Sequence, residues 1–451
     1  MKAGPVASGT APPPPPHAPE PPVPPGLHTV AGLVMRQMER ARHGVLVLAL
    51  DGVGWEWAAR TLRPSALREL RSTFPSTSVT AWLTAVTGAG IAEHAAVGAE
   101  FRVPARAYSA EGEETVRADS PGVLFDPAHG RVRTWSGEGT SADPAPVESE
   151  TGAVCGTGVR TLFQRARSRG IPAYALCPEL DGLNGPWTTA LLDGALRVPH
   201  RPADFGRAPE AVAEAAVRGI GALLAAERRR PLLLWAYLDF DTWLHRHGPG
   251  PRLFRALRRL DEAAAGWAER GWTVTAHADH GLTPVTHDER ARNAWAALDT
   301  PYRCVLPSGG AGRVRWLYPR PGTEERLLTE AREALAPYAE VRTPAELAAR
   351  GLLPDPAHAP LAHARIGEVV ALATGPAFPV PDPRCRWEHG ARTEDELRVP
   401  LAVWSGTGTD TGLDPDPRTA DAGTAGTSST DARTTGTRAT DARTTHEGEG
   451  P

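Results

Sequence analysis

The sequence predicts an α/β fold, a doubly wound and mostly parallel sheet with a small inserted α+β subdomain, and three observations carry that prediction. Pro231–Leu238, Val45–Leu50 and the run from Thr273 are continuously apolar or β-branched, as strands buried on both faces must be. Each run ends abruptly in side chains able to hold a cation: Asp51-Gly52, Asp241 with His245, and Asp279-His280-Gly281. Helical patterns alternate with these runs, as expected where crossover helices join parallel strands.

Composition narrows the function classes. A chain of 451 residues can bury one large core with inserted subdomains or divide into as many as three domains. Its 49 basic and 53 acidic residues, net −4, give no bulk attraction to a nucleic-acid polymer or a membrane surface. Lys2 is the sole lysine, and the abundance of Ala, Gly, Pro and Arg reads as coding bias. Cys155, Cys177, Cys304 and Cys385 are too scattered for a disulfide-stapled fold and are expected to be buried thiols. No apolar leader follows Met1-Lys2, and no run approaches the ~18 apolar residues of a membrane span, so a soluble, cytoplasmic protein is expected.

Taken in order, residues 1–26 form a proline-rich arm that cannot make regular backbone ladders and is expected to be extended and disordered. Leu27–Arg42 has amphipathic spacing and should pack as a helix outside the sheet. Val45–Leu50 then delivers Asp51, either a cation ligand or a turn former ahead of glycine. In Thr73–Gly88, three consecutive hydroxyl residues, Ser76, Thr77 and Ser78, precede an apolar helix. They suit N-caps, and the same helix end suits a phosphate-like anion beside a hydroxyl nucleophile.

Residues from about 100 to 155 are rich in Gly, Ser, Pro and charge and read as a surface excursion overhanging the site. Gly158–Leu176 reads as helix then strand, and Ala211–Arg229 as a long helix. Asp241 and His245 stand four apart, so on one helical turn they face the same way, to chelate a cation or to form a solvated ion pair. The chain 290–380 reads as the inserted subdomain, with helices at Glu324–Ala336 and Pro344–Arg350. It returns through His389-Gly390 and an acidic turn to a last strand ending at Trp404. This defines a catalytic domain over 27–405. Residues 406–451, with T-D-A-R-T-T at Thr430 and again at Thr440, have too few large apolar residues to fold.

The candidate site residues are therefore Asp51, Ser78 (with Thr77 as the fallback), Asp241, His245, Asp279, His280 and His389. Their mixed nitrogen and oxygen donors suit zinc, or manganese, better than an all-oxygen calcium or magnesium cage. With these motifs in this order the chain resembles the alkaline phosphatase superfamily, and within it the nucleotide pyrophosphatase/phosphodiesterase-like (type I phosphodiesterase) branch. The resemblance spans residues 43–405 and rests on Asp51-Gly52, Phe74-Pro75 with Thr87-Gly88, Asp241…His245 with Gly248-Pro249, Asp279-His280-Gly281 and His389-Gly390.

By that resemblance Ser78 is the nucleophile. One divalent cation would take Asp241, His245 and His389, and a second Asp51, Asp279, His280 and the Ser78 oxygen. It implies a phosphodiesterase or pyrophosphatase acting on a small-molecule phosphoester through a phosphoserine. Two alternatives stand beside it, a phosphomonoesterase of the same fold and a metal-binding scaffold without catalysis. Where the family has threonine this chain has Ser78. Val79 replaces the aromatic residue that stacks a nucleobase and Ala81 the asparagine that steadies a phosphoryl oxygen, which argues against nucleotide substrates. Asp239, His247 and His277 lie near the motifs, where structural roles are expected.

Overall fold

The structure is a computed structural model describing residues 24–103, 122–135, 159–183 and 185–406, the short strands 106–108, 114–116 and 137–139, and residues 411 and 413. The proline-rich arm up to residue 23, Cys155 and nearly all of the tail beyond 406 lie outside the described residues. The chain divides into two units, Met1–Gly412 and Leu413–Pro451, and of the second only Leu413 is described. The fold and the site both belong to the first.

Seven strands make the central sheet, in the spatial order Leu196–Arg197, Ala173–Leu176, Leu232–Asp239, Gly44–Asp51, Thr273–His277, Arg398–Trp404, Ala66–Arg71. Gly44–Asp51 and Leu232–Asp239 are buried at every position, which is why their sequences are continuously apolar instead of alternating. Register then sets the site. Gly44–Asp51 lies between two parallel neighbours, with Asp51 opposite Asp239 on one side and Ala49 opposite His277 on the other. Two residues beyond that last pair come Asp51 and Asp279, so both carboxylates reach one edge of the sheet.

Arg398–Trp404 alone is antiparallel, to Thr273–His277 and to Ala66–Arg71. It begins where the parallel strands end, so the chain leading into it, with Glu388 and His389, opens on the same edge. Ala66–Arg71 is parallel to the rest in turn, and its end, Arg71 opposite Arg398, feeds the Ser78–Thr87 helix there. Trp82 on that helix stands edge-on to Trp235 and Tyr237 of the sheet, with ring centroids 5.9 and 6.0 Å apart, and fixes the helix against it. Outside the sheet, the amphipathic segment forms a helix over Thr29–Arg40, whose buried Gln37 accepts a 2.7 Å hydrogen bond from Thr275. Pro251–Glu269, a helix that the reading by strand ends passes over, packs beside Pro209–Ala226.

A second, antiparallel sheet orders Cys304–Ala311, Val314–Pro319, Val369–Ala373 and Ala339–Arg342, with helices Glu324–Leu335 and Pro344–Ala349 beside it. Among its described residues, the expected surface excursion is partly core. Its strands Phe101–Val103, Val123–Asp126 and Arg131–Thr134 belong to a small sheet of their own, and Phe101, Leu124 and Phe125 are buried in one core with Val314, Trp316 and Tyr318. Cys177, Cys304 and Cys385 are buried free thiols. No helix among the described residues is long and apolar enough to cross a membrane.

Candidate active site

All seven candidates meet at the carboxyl edge of the central sheet, in two adjoining groups. In the first, the Asp51-Gly52 turn and Asp279-His280 leave neighbouring strands. Gly52 has φ +77°, and a Cβ there would stand 2.8 Å from Asp241 Oδ1, so glycine is demanded by both backbone and space. Its N–H donates to Asp279 Oδ1 at 3.1 Å. Ser78 Oγ lies 3.1 Å from His280 Nε2 and 3.4 Å from Asp51 Oδ1. His280 Nε2 is in turn 3.1 Å from Asp279 Oδ2 and 3.9 Å from Asp51 Oδ1.

Ser78 is the first residue of its helix, ahead of the first intrahelical bond, Ala81 N–H to Thr77 C=O. That leaves the amides of Ser78, Val79 and Thr80 at the positive end of the helix dipole beside the hydroxyl. The N-cap expectation is corrected: Thr77 occupies the cap position but its side chain makes no capping bond, and among the described residues it has no hydrogen bond to the other candidates.

In the second group, Asp241 and His245 share the helix Asp241–His247, with His245 Nε2 3.0 Å from Asp241 Oδ2. His389 Nε2 is 3.8 Å from that same oxygen, and its ring stacks on His280 at 3.7 Å, so the groups touch. Glu388, which the sequence reading did not select, is buried against both imidazoles, 3.5 Å from His245 Nδ1 and 3.8 Å from His389 Nε2. His245 Nδ1 also lies 2.9 Å from the Trp387 carbonyl and His389 Nδ1 2.6 Å from that of Ser76, which orients both rings.

Burial and the neighbouring carboxylates push Asp51 well above the usual carboxylate range, and burial raises Asp279 and Glu388. Burial also acts to raise Asp241, but His245 and His389 outweigh it and hold Asp241 low. His245 moves the opposite way: burial would lower it, yet Asp241 and Glu388 raise it well above its ordinary value. Burial and His280 push His389 well below its own.

The side chains fit divalent cations. Asp241 Oδ1 and Asp279 Oδ2 are buried without a hydrogen-bond partner, the second close to His280 Nε2 but out of alignment with it. Such orphaned carboxylate oxygens are costly unless a cation meets them. Three sets of ligand atoms lie within 4.8 Å of one another: Asp51, Asp279 and His280; His245, Glu388 and His389; and Asp241, His280 and His389.

Residues that sequence reasoning missed hold the groups together. Ser76 accepts from Gly390 N–H, donates from its hydroxyl to the Ala391 carbonyl and from its N–H to the Gly390 carbonyl, tying the Ser78 loop to the His389 loop. Tyr237 donates to Asp51 Oδ2. Glu396 and Arg313 form a fully buried pair, Nε to Oε1 3.2 Å, which holds Ala391 N–H, while Arg313 N–H reaches the His389 carbonyl. Only the hydroxyl of Ser76, inside the Ser/Thr run, carried a signal in the sequence. The other three are spaced like ordinary core or surface residues.

Three flanking residues serve the fold. Asp239 accepts from Gly206 and Thr242 N–H, His277 is buried against Trp82 and lowered to about 4 by burial, and exposed His247 stacks on Trp243.

Comparison with known proteins agrees with this fold. No curated protein matches the chain. Among solved structures, phosphonoacetate hydrolase from Sinorhizobium meliloti 1021 in complex with phosphonoacetate aligns at a TM-score of 0.50 and 16% identity, over 84% of this chain and 93% of that one. Human ectonucleotide pyrophosphatase/phosphodiesterase 5 aligns at 0.50 and 14%, over 81% and 89%. At such identities these likenesses speak for the fold, a mostly parallel sheet flanked by small antiparallel ones. The family model for type I phosphodiesterase / nucleotide pyrophosphatase matches residues 45–392, from the first buried strand to just past His389-Gly390. The chain belongs to that family of metal-dependent hydrolases of phosphoester bonds.

Proposed function

We infer that the protein cleaves a small-molecule phosphodiester or phosphoanhydride at a two-cation site, with Ser78 as nucleophile and a phosphoserine intermediate. The observation that carries this reading is the Ser78 hydroxyl at a helix N-terminus, 3.1 Å from His280 and 3.4 Å from Asp51, beside orphaned carboxylate oxygens. Asp51, Asp279 and His280 would hold one cation with the Ser78 oxygen, and Asp241, His245 and His389 the other, with Glu388 against the last two. Zinc suits these nitrogen and oxygen donors, and manganese is the alternative. When bound, such cations supply charge that favours the serine alkoxide and steadies the departing oxygen.

Ser78 releases its hydroxyl proton to solvent, its Oγ bonds to phosphorus as the P–O bond opposite it breaks, and the departing oxygen leaves as an alcohol or phosphate after taking up a proton from water. The free amides of the helix's first turn face the phosphoryl oxygens, whose negative charge they favour. Water then breaks the phosphoserine bond, releasing a phosphomonoester or phosphate and restoring the hydroxyl. His245 and His389 stay fixed through their Nδ1 contacts to backbone carbonyls.

Hydrolysis of bis-p-nitrophenyl phosphate and of p-nitrophenyl phosphate, with and without added zinc or manganese, tests the reading. The diester should be the faster substrate. A faster monoester indicates a phosphatase of the same fold, and silence on both indicates a scaffold. Ser78→Ala should cost at least ~10³-fold in turnover and abolish a phosphopeptide containing residue 78 in acid-quenched protein, while Thr77→Ala retains it.

A further inference from the structure

Past Val79, the residue that follows Ser78, opens a cleft of about 600 Å³ that the proposed chemistry does not use. It adjoins the site on two sides. Val79, the residue after the nucleophile, lines it, and so does the Gly309–Gly312 hairpin, which packs so closely on the second group that a Cβ on Gly312 would stand 2.6 Å from Glu388 Oε1. Val79 and Gly312 thus set the cleft beside both groups of the site.

The walls of the cleft select by charge. Arg133, Arg292 and Arg315 face it against two carboxylates, Glu100 and Asp126. Both carboxylates are already engaged, Glu100 with Arg133 and Asp126 with His129 at 2.7 Å. Arg315 is half-buried, held by Ser308 and the Pro379 carbonyl, and paired with Asp299 at 3.8 Å. Arg292 is exposed on the helix Glu289–Leu298, and its guanidinium has no ion pair among the described residues. For an aromatic base the cleft offers only the imidazole of His129, which is bound to Asp126. Val79 offers no ring, and the buried Trp295 already carries the Arg315 guanidinium over its face at 4.2 Å.

We propose that this cleft is a subsite for a second anionic group, a carboxylate or phosphate, on the arm of the phosphoester that faces Arg292. The proposal rests on the reading of Ser78 as nucleophile and names the substrate class for that site: compact, non-aromatic phosphodiesters with an additional negative charge. Arg292 supplies the cation that has no ion pair among the described residues, and Arg315, already paired with Asp299, adds a second guanidinium to the same wall.

The test uses two p-nitrophenyl phosphodiesters that differ in one arm, ethyl or 2-carboxyethyl. kcat/KM on the zinc-loaded protein is measured beside calorimetric binding of ethyl and 2-carboxyethyl methylphosphonate. The carboxylate arm should be favoured about tenfold in both measurements, the worth of one charge-assisted contact. Arg292→Glu should abolish the preference, Arg292→Lys should keep most of it, and Arg290→Glu, on the same helix but outside the cleft, should leave the ratio unchanged. Equal constants for the two arms, or a preference that survives Arg292→Glu, overturn the subsite. Failure to hydrolyse either ester while the binding preference persists overturns the proposed activity and supports the subsite.

Discussion

Asp51 and Asp279 hang from the ends of adjacent parallel strands, whereas Asp241 and His245 share a seven-residue helix and His389 arrives on a loop from far along the chain. The two groups also differ in charge. The strand-end group sets two buried carboxylates, both raised by burial, against one imidazole. In the helix-and-loop group, Asp241 is held low by His245 and His389 and His245 high by Asp241 and Glu388, so the charges of that pair offset each other although Asp241 Oδ1 has no hydrogen bond. A site of uniform construction would respond uniformly to loss of its metal. This one should lose its order first around Asp51 and keep it around Asp241.

Chelation is the largest perturbation. Removing bound cations should cost at least ~10³-fold in turnover, since charge stabilisation worth several kcal/mol disappears with them. Amide exchange should then rise at the Asp51-Gly52 and Asp279-His280 turns and stay slow across Asp241–His247. Equal loosening of both would break the comparison.

The Arg313–Glu396 pair tests what the groups share. Both side chains are buried, and the pair lies under the loop that carries His389. Glu396→Gln leaves the Arg313 charge without its partner, which should lower stability by about 3–5 kcal/mol in denaturant titration. Adding Arg313→Met should recover much of that, because an apolar pair removes the uncompensated charge.

The same substitution should act with opposite sign in the two groups. In chelated protein, Asp51 has its carboxyl raised in the fold, so its contribution is complete below the ordinary value of about 4 and is lost as pH rises through the folded one. Asp51→Asn removes that loss, keeps an acceptor for Tyr237, and should raise the melting temperature at pH 7.5 by more than at pH 5. Asp241 is depressed instead, so its contribution is present above about pH 4 and lost on acidification. Asp241→Asn should therefore lower the melting temperature at pH 7.5.

The same contrast in construction explains which parts were legible in the sequence. Val45–Leu50 and Leu232–Leu238 announce themselves because both faces are buried, and their carboxylates stand where the apolar run stops. Asp241 and His245 are visible as a helical pair. Glu388 is not, since a carboxylate before histidine is unremarkable until the short strand Trp387–Glu388, paired with Thr283–Pro284, and the antiparallel Arg398–Trp404 strand bring it to the sheet edge. Phe101, Leu124 and Phe125 were hidden for a related reason: their strands are three or four residues long, set among Gly, Ser and charge, and acquire a core only by packing on a sheet that lies some 200 positions later.

Glu388 carries the smallest predicted effect and refines the comparison most. Its carboxylate lies 3.5 Å from His245 Nδ1 and 3.8 Å from His389 Nε2, so it is within reach of acting either on a ring from behind or on a cation in front. A carboxylate behind a liganding imidazole usually changes metal affinity by about 10–100-fold. Glu388→Gln preserves shape and the acceptor for His389 N–H, so the fold should hold, while affinity for one of two cations should fall by about tenfold in a chelator competition. Two sites weakening together would mean that Glu388 serves both groups through the stacked His280 and His389. Weakening of one alone would mean that the helix-and-loop group, whose Asp241–His245 charges already offset each other, still depends on this carboxylate to bind metal.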